Sequence, residues 1–74
     1  MLRVSVPSRS IRSVGYDPAT RILEIMYVNG GLYEYIDVPR EEHRALMGAE
    51  SKGAYVNLRI KPHYECRRVL DRVV

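Results

Sequence analysis

Asn29-Gly30-Gly31-Leu32-Tyr33-Glu34-Tyr35-Ile36-Asp37-Val38-Pro39 joins a glycine turn, a strand with two tyrosines one residue apart, and the proline-primed start of a helix. Period-2 spacing puts Tyr33 and Tyr35 on one face of that strand, with Leu32, Glu34 and Ile36 on the other. Which face is buried depends on the turn. An even loop would place Glu34 beside Leu23, Ile25 and Tyr27, burying a carboxylate at a cost of several kcal/mol. A three-residue loop with Gly30 or Gly31 in the left-handed conformation instead sets Tyr33 and Tyr35 beside Leu23, Ile25 and Tyr27. Glu34 then faces outward with Glu24 and Met26. This bulged register is the one expected, with both tyrosines assigned to the core. It leaves Leu32 and Ile36 on an outer face that calls for partial cover.

Upstream, the sequence reads as sheet. Arg21 to Val28 alternates Leu23, Ile25 and Tyr27 against Glu24, a half-buried strand pattern. Ile11 to Tyr16 is a strand before it, and Asp17-Pro18-Ala19-Thr20 supplies the turn. Leu2, Val4 and Val6 allow a short edge strand or extended arm. Downstream, Asp37 or Val38 caps a helix with Pro39 at its first position and Gly48 as its stop. Its inward stripe is Val38, His43, Leu46 and Met47, with Ala45 at the margin. Ser51 caps a second helix, Lys52 to about Ile60, with Tyr55, Val56 and Ile60 on one stripe. Gly53 weakens its first turn by about 1 kcal/mol relative to alanine, which suggests close approach by another segment or a ligand. Pro62 ends this helix, and His63 to Val69 is a last strand before a tail that frays.

The fold class is therefore α+β, a three- to four-stranded antiparallel meander packed with two short helices. Seventy-four residues make one domain with a core over about 8–69. A chain this short hides only about 60% of its unfolded surface. With no tryptophan or phenylalanine, its large apolar bodies are six tyrosines, whose hydroxyls need water or a polar partner. The single cysteine, Cys66, excludes an internal disulfide and fits a reducing compartment, so a cytoplasmic location is expected. No apolar run approaches the roughly 20 residues of a membrane helix, and no secretory signal is read at the amino end.

Net charge is +3, distributed as +3 over residues 1–12, −3 over 13–58 and +3 over 59–74. If the two basic ends lie side by side they form one patch for phosphate, membrane headgroups or an acidic protein. Arginine outnumbers lysine ten to two, a usage suited to bidentate phosphate contacts and stacking. Arg59, Lys61, Arg67 and Arg68, with Tyr64 as a stacking ring, are the candidate nucleic-acid contacts, and Arg9 and Arg12 add charge if the ends meet. The bland alternative pairs Arg67 and Arg68 with Glu34, Glu65 or other acids. Ser51, Lys52 and Gly53, with Asn57 beyond, form a candidate anion site that is read equally as a plain helix cap. Met26, Val28, Leu32 and Ile36 would suit self-association or docking on a protein partner if contiguous and uncovered.

The order of elements resembles the KTSC domain, a family named for its place at the carboxyl end of some lysyl-tRNA synthetases and also found as small free-standing bacterial proteins. The resemblance runs from about Ser8 to Arg68. It rests on Ser8-Arg9-Ser10-Ile11, Val14-Gly15-Tyr16-Asp17, Leu23-Glu24-Ile25, and Tyr33-Glu34-Tyr35 leading to Asp37-Val38-Pro39. Ser51-Lys52-Gly53 with Tyr55 and Asn57, and the late Tyr64, Arg67 and Arg68, complete it. It implies no settled activity, although RNA binding has been suggested for the family. Val56 departs from it, standing where the family often has an aromatic.

Catalysis and metal binding have little footing. His63 and Cys66 are three apart and would point to opposite faces of a strand, and structural zinc wants four ligands where this chain offers one cysteine and two histidines. Glu41 and Glu42 are explained by the helix dipole. Gly30-Gly31 lacks the following helix that a phosphate loop requires. The sequence thus reads as a non-catalytic binding module with no cofactor, metal or small-molecule substrate indicated. RNA is the leading partner, and a protein or a second copy the alternative.

Overall fold

The computed structural model describes residues 9–69 and the backbone of Arg3–Ser5. Five antiparallel strands follow chain order across one sheet: β1 (Arg3–Ser5), β2 (Ile11–Asp17), β3 (Ile22–Tyr27), β4 (Leu32–Tyr35) and β5 (Cys66–Val69). Between β4 and β5 the chain forms α1 (Arg40–Gly48) and α2 (Lys52–Tyr55), the latter continuing as a π-helical turn over Val56–Ile60. The α+β meander with two short helices is the expected fold. Strands β2 to β5 are its four, and β1 extends one edge. Leu2, Val6 and the tail from Leu70, with Arg72, lie outside the described residues.

The β3–β4 turn has the odd length that buries the tyrosine face. The Tyr27 N–H donates to the Gly31 carbonyl at 2.8 Å, and the Gly30 N–H donates back to the Tyr27 carbonyl at 2.9 Å. Val28, Asn29 and Gly30 are thereby enclosed, with Gly30 at φ +99°. Only a residue without Cβ takes that angle without strain. The pairs Leu23–Tyr35, Ile25–Tyr33, Glu24–Glu34 and Met26–Leu32 follow. Tyr35 is 2% exposed and belongs to the core, whereas Tyr33 is only half-buried. Glu24 lies on the outer face as expected, but at 7% exposure, like Ser13, it does not reach solvent freely. The outer face is covered there.

A bulge in β2 was not legible in the sequence. Ile11 pairs with Tyr27 and Ser13 with Met26, so Arg12 is an extra residue. Ile11 and Val14, three apart, would face opposite ways in a regular strand; the bulge turns both inward, to 0% and 1% exposure. The β2–β3 turn behaves as its residues predict, with the Asp17 carboxylate accepting from the Ala19 N–H at 3.0 Å.

Both helices lie against the inner face. Val38, Leu46, Val56 and Ile60 join Ile11, Val14, Leu23, Ile25 and Tyr35 in one core. Pro39 corrects its expected place by one residue. It stays extended at φ −70°, ψ 155° and is itself the cap of α1. Val38, anchored by its N–H on the Arg21 carbonyl at 2.8 Å, is held in the core just before it. Ala45 is exposed. Val56 is a core residue, so its departure from the family pattern removes no surface ring. Strand β5 starts at Cys66 instead of His63, because the Ile60 carbonyl captures the amides of both His63 and Tyr64 and winds the chain on.

Ser51 caps α2 as expected, accepting from the Ala54 N–H at 3.2 Å. The close approach at Gly53 is made by Ser10, whose Oγ would stand 2.4 Å from a Cβ placed there. We expect Gly53→Ala to cost about 1 kcal/mol despite alanine's better helix propensity. Urea unfolding of Ser10→Ala, Gly53→Ala and the double variant should give a coupling of about 0.5–3 kcal/mol, the double variant recovering the loss. Simple additivity would contradict the contact.

Candidate nucleic-acid interface

Alternation along β4 sends Tyr33 and Tyr35 to the same face as Tyr27, and these three rings form the floor and walls of an open pocket. Tyr27 and Tyr33 meet edge to face, with centroids 5.6 Å apart and planes at 79°. A side chain at Gly31 would lie 3.1 Å from the Tyr33 ring, so the turn glycine also makes room for it. The Tyr27 and Tyr35 hydroxyls are 3.0 Å apart. Burial raises both above the ordinary tyrosine value of 10.0, Tyr35 the further. Either hydroxyl can be the donor of the bond they share.

Two cations border these rings. The π-turn closes with the Lys61 N–H on the Val56 carbonyl at 2.8 Å, a spacing one residue longer than an α-turn. It delivers the Lys61 ammonium to 5.5 Å from the Tyr27 ring centre. Register on β5 sets Arg68 opposite Tyr33, its guanidinium 6.0 Å from that ring. The cavity measures about 370 Å³ and is lined by Tyr27, Asn29, Tyr33, Tyr35, Lys61 and Cys66, with no carboxylate in the lining.

The other sequence candidates are dispersed. Arg67 is opposite Glu34 on the outer face and bonds it at 2.6 Å. Adjacent arginines on one strand thus serve opposite faces. Arg59 stands 5.9 Å from the Tyr55 ring. Tyr64 is tied by its hydroxyl to Glu42 at 3.0 Å, and the Tyr55 hydroxyl donates to the other oxygen of the same carboxylate. Glu42 therefore does more than complement a helix dipole, which sequence reasoning missed. Arg12 is exposed at the bulge. Strands β1 and β5, the described strands nearest the two basic chain ends, are opposite edges of the sheet with three strands between them.

Arg9 and Ser10 meet Glu50, Ser51, Lys52, Gly53 and Asn57 around a second cleft of about 440 Å³. The Ser51 hydroxyl is engaged by the helix cap and the Lys52 ammonium by the Ala49 carbonyl at 2.8 Å. On the outer face Met26 pairs with Leu32, but the Glu34–Arg67 ion pair lies between Leu32 and Ile36, while Val28 belongs to the turn at 46% exposure. The four candidate interface residues do not form one apolar patch. His43 stacks on Tyr16 at 4.7 Å, His63 Nδ1 is 3.0 Å from the Arg59 carbonyl, and Cys66 is on β5. Among the described residues no helix is long and apolar enough to cross a membrane.

Tyr55 and Tyr64 are raised too, first by burial and then by donating to Glu42. Tyrosines with folded values above the unfolded value of 10.0 lend stability that is complete below that pH and lost as pH rises beyond it through the folded values. Urea midpoints should therefore fall above pH 10.0, and Tyr35→Phe should flatten the fall. A midpoint that rises there would contradict the buried tyrosine bonds.

The family model for the KTSC domain matches residues 7–64. A crystal structure of a KTSC domain protein from Yersinia pestis superposes with a TM-score of 0.89 at 41% identity, covering 92% of this chain and 96% of that one. An uncharacterised protein of Stutzerimonas stutzeri is 46% identical over 70 residues, covering 93% of this chain and 99% of its own length. A lysine–tRNA ligase of Nostoc is 34% identical over 55 residues, covering 74% of this chain and 10% of the ligase. Matched over most of its length in sequence and in fold, the chain belongs to the KTSC domain family.

Proposed function

We propose that this KTSC domain is a non-catalytic module that binds single-stranded RNA across the tyrosine pocket. The observation that carries the reading is the meeting of Tyr27 and Tyr33 with Lys61 around one open cavity whose lining is free of carboxylates, with Arg68 against the Tyr33 ring. A ring that can stack on a base, beside cations that can take the adjoining phosphates, is the combination single-strand binders use. The shared segment in a lysine–tRNA ligase, an enzyme that handles RNA, agrees with it. The module works in the cytoplasm, where a lone exposed thiol such as Cys66 stays reduced.

The test is fluorescence anisotropy of a labelled single-stranded RNA with the purified domain over a range of salt. Affinity should fall with salt, and Lys61→Ala with Arg68→Ala should lower the log–log slope by about 1.4, about 0.7 for each lost phosphate contact. Arg67→Ala, on the opposite face, should leave binding nearly unchanged. Equal losses in the Arg67 variant, or no binding at low salt, would overturn the proposal.

A further inference from the structure

Strand β5 ends the sheet, and among the described residues no further strand pairs with its other side. The Ile36 N–H donates to the Glu65 carbonyl at 2.8 Å, which sets the parity of the β4–β5 ladder. Alternate residues of an antiparallel strand bond the same neighbour. Glu65, Arg67 and Val69 therefore turn their backbone groups to β4, while Cys66, and Arg68 after it, turn theirs to the outer edge. Cys66 is exposed there. An edge of this kind is a template for one more strand.

Charge decides which strand can lie on it. Residues 59–69 carry four basic side chains and one acidic one. Arg67 and Arg68 are both exposed, Arg67 on the outer face beside Glu34 and Arg68 on the inner face beside Tyr33. Arg67 gives its Nε and Nη2 to one Glu34 oxygen and keeps further donors, with 63% of the side chain exposed. A second copy is a poor occupant. Antiparallel pairing of β5 with itself brings the arginines of both copies together, and like charges across a strand pair destabilise it. An acidic strand meets the opposite condition.

We infer that the outer edge of β5 takes an extended acidic segment of a partner protein as an added strand, with two adjacent carboxylates set opposite Arg67 and Arg68. Neighbouring residues on a strand face opposite ways, so the two carboxylates reach opposite faces of the sheet, as the two arginines do. Side chains directly opposite have Cβ atoms about 4.5–5.5 Å apart, within reach of a carboxylate–guanidinium bond. Backbone bonds hold an added strand of any sequence, and the arginine pair selects an acidic one. The inference does not depend on the RNA reading. The two share Arg68, but the test reads the β5 backbone, which that reading does not use.

The experiment follows amide hydrogen exchange and amide shifts of the isotopically labelled full chain by NMR. Alone, the Cys66 amide should exchange about tenfold faster than the Arg67 amide, whatever the protein concentration. The probe is an end-blocked synthetic peptide of valine and threonine with two adjacent glutamates at its centre, and the control peptide carries lysines in their place. The glutamate peptide should slow exchange at Cys66 and shift Cys66, Arg67 and Arg68 at concentrations about tenfold below those the lysine peptide needs. Arg68→Glu should narrow or reverse that preference. Slow exchange of Cys66 in the chain alone would mean that the edge is already covered, and slowing that grows with protein concentration would give the edge to a second copy. Either result overturns the inference, as would equal response to the two peptides, shifts away from β5, or no shifts.

Discussion

The odd length of the turn Val28–Gly30, closed by Gly30 at φ +99°, is the constraint on which the rest of the molecule depends. A residue more or fewer would turn β4 over, since side chains alternate with period 2. Glu34 would then leave the outer face, and Arg67 would lose its partner. With the turn as it is, Tyr35 closes the core, Tyr33 forms the rim of the pocket, and Glu34 meets Arg67 on the far side. One left-handed glycine thus separates the structural face from the face proposed to bind.

A core without phenylalanine or tryptophan must bury tyrosine bodies and still satisfy their hydroxyls. The fold does so by pairing. Tyr16 donates to the Val38 carbonyl at 2.6 Å and thereby ties β2 to the entrance of α1. Tyr27 and Tyr35 satisfy each other, and Tyr55 and Tyr64 share the Glu42 carboxylate, fastening the end of α2 and the segment after it to α1. Each bond contributes only about 0.5–1.5 kcal/mol net, or somewhat more to a carboxylate, yet losing one partner strands a polar group. Tyr33 differs. Its ring is held by Tyr27 and Arg68, and it is the tyrosine most suited to exchange its neighbours for a base.

Local chemistry was legible in the sequence and distant pairing was not. The three-residue turn, the Asp17 turn, the Ser51 cap and the crowding at Gly53 all depend on residues whose own geometry carries the signal. Pro39 was misplaced by one position because tertiary anchoring of Val38, not the proline itself, sets where the helix begins. The bulge at Arg12 is hidden because an extra residue shows only against its partner strand. For the site, the arginines were found, but the division of Arg67 from Arg68 between faces required the register of β5 on β4. The place of Lys61 required the π-turn, which buries Val56 and Ile60 and which no residue type in the segment announces. Tyr27, Asn29 and Cys66 were missed as pocket residues for the same reason, being brought together from two strands and a turn.

The account's central claim is that bases contact the Tyr27–Tyr33 pocket. Photo-crosslinking of single-stranded RNA to the domain, followed by mass mapping of the adducts, tests it most directly. Adducts on Tyr27, Tyr33, Lys61 or Cys66 are the predicted result. Adducts confined to the cleft between Arg9 and Asn57, or to the outer face around Arg67, would contradict it.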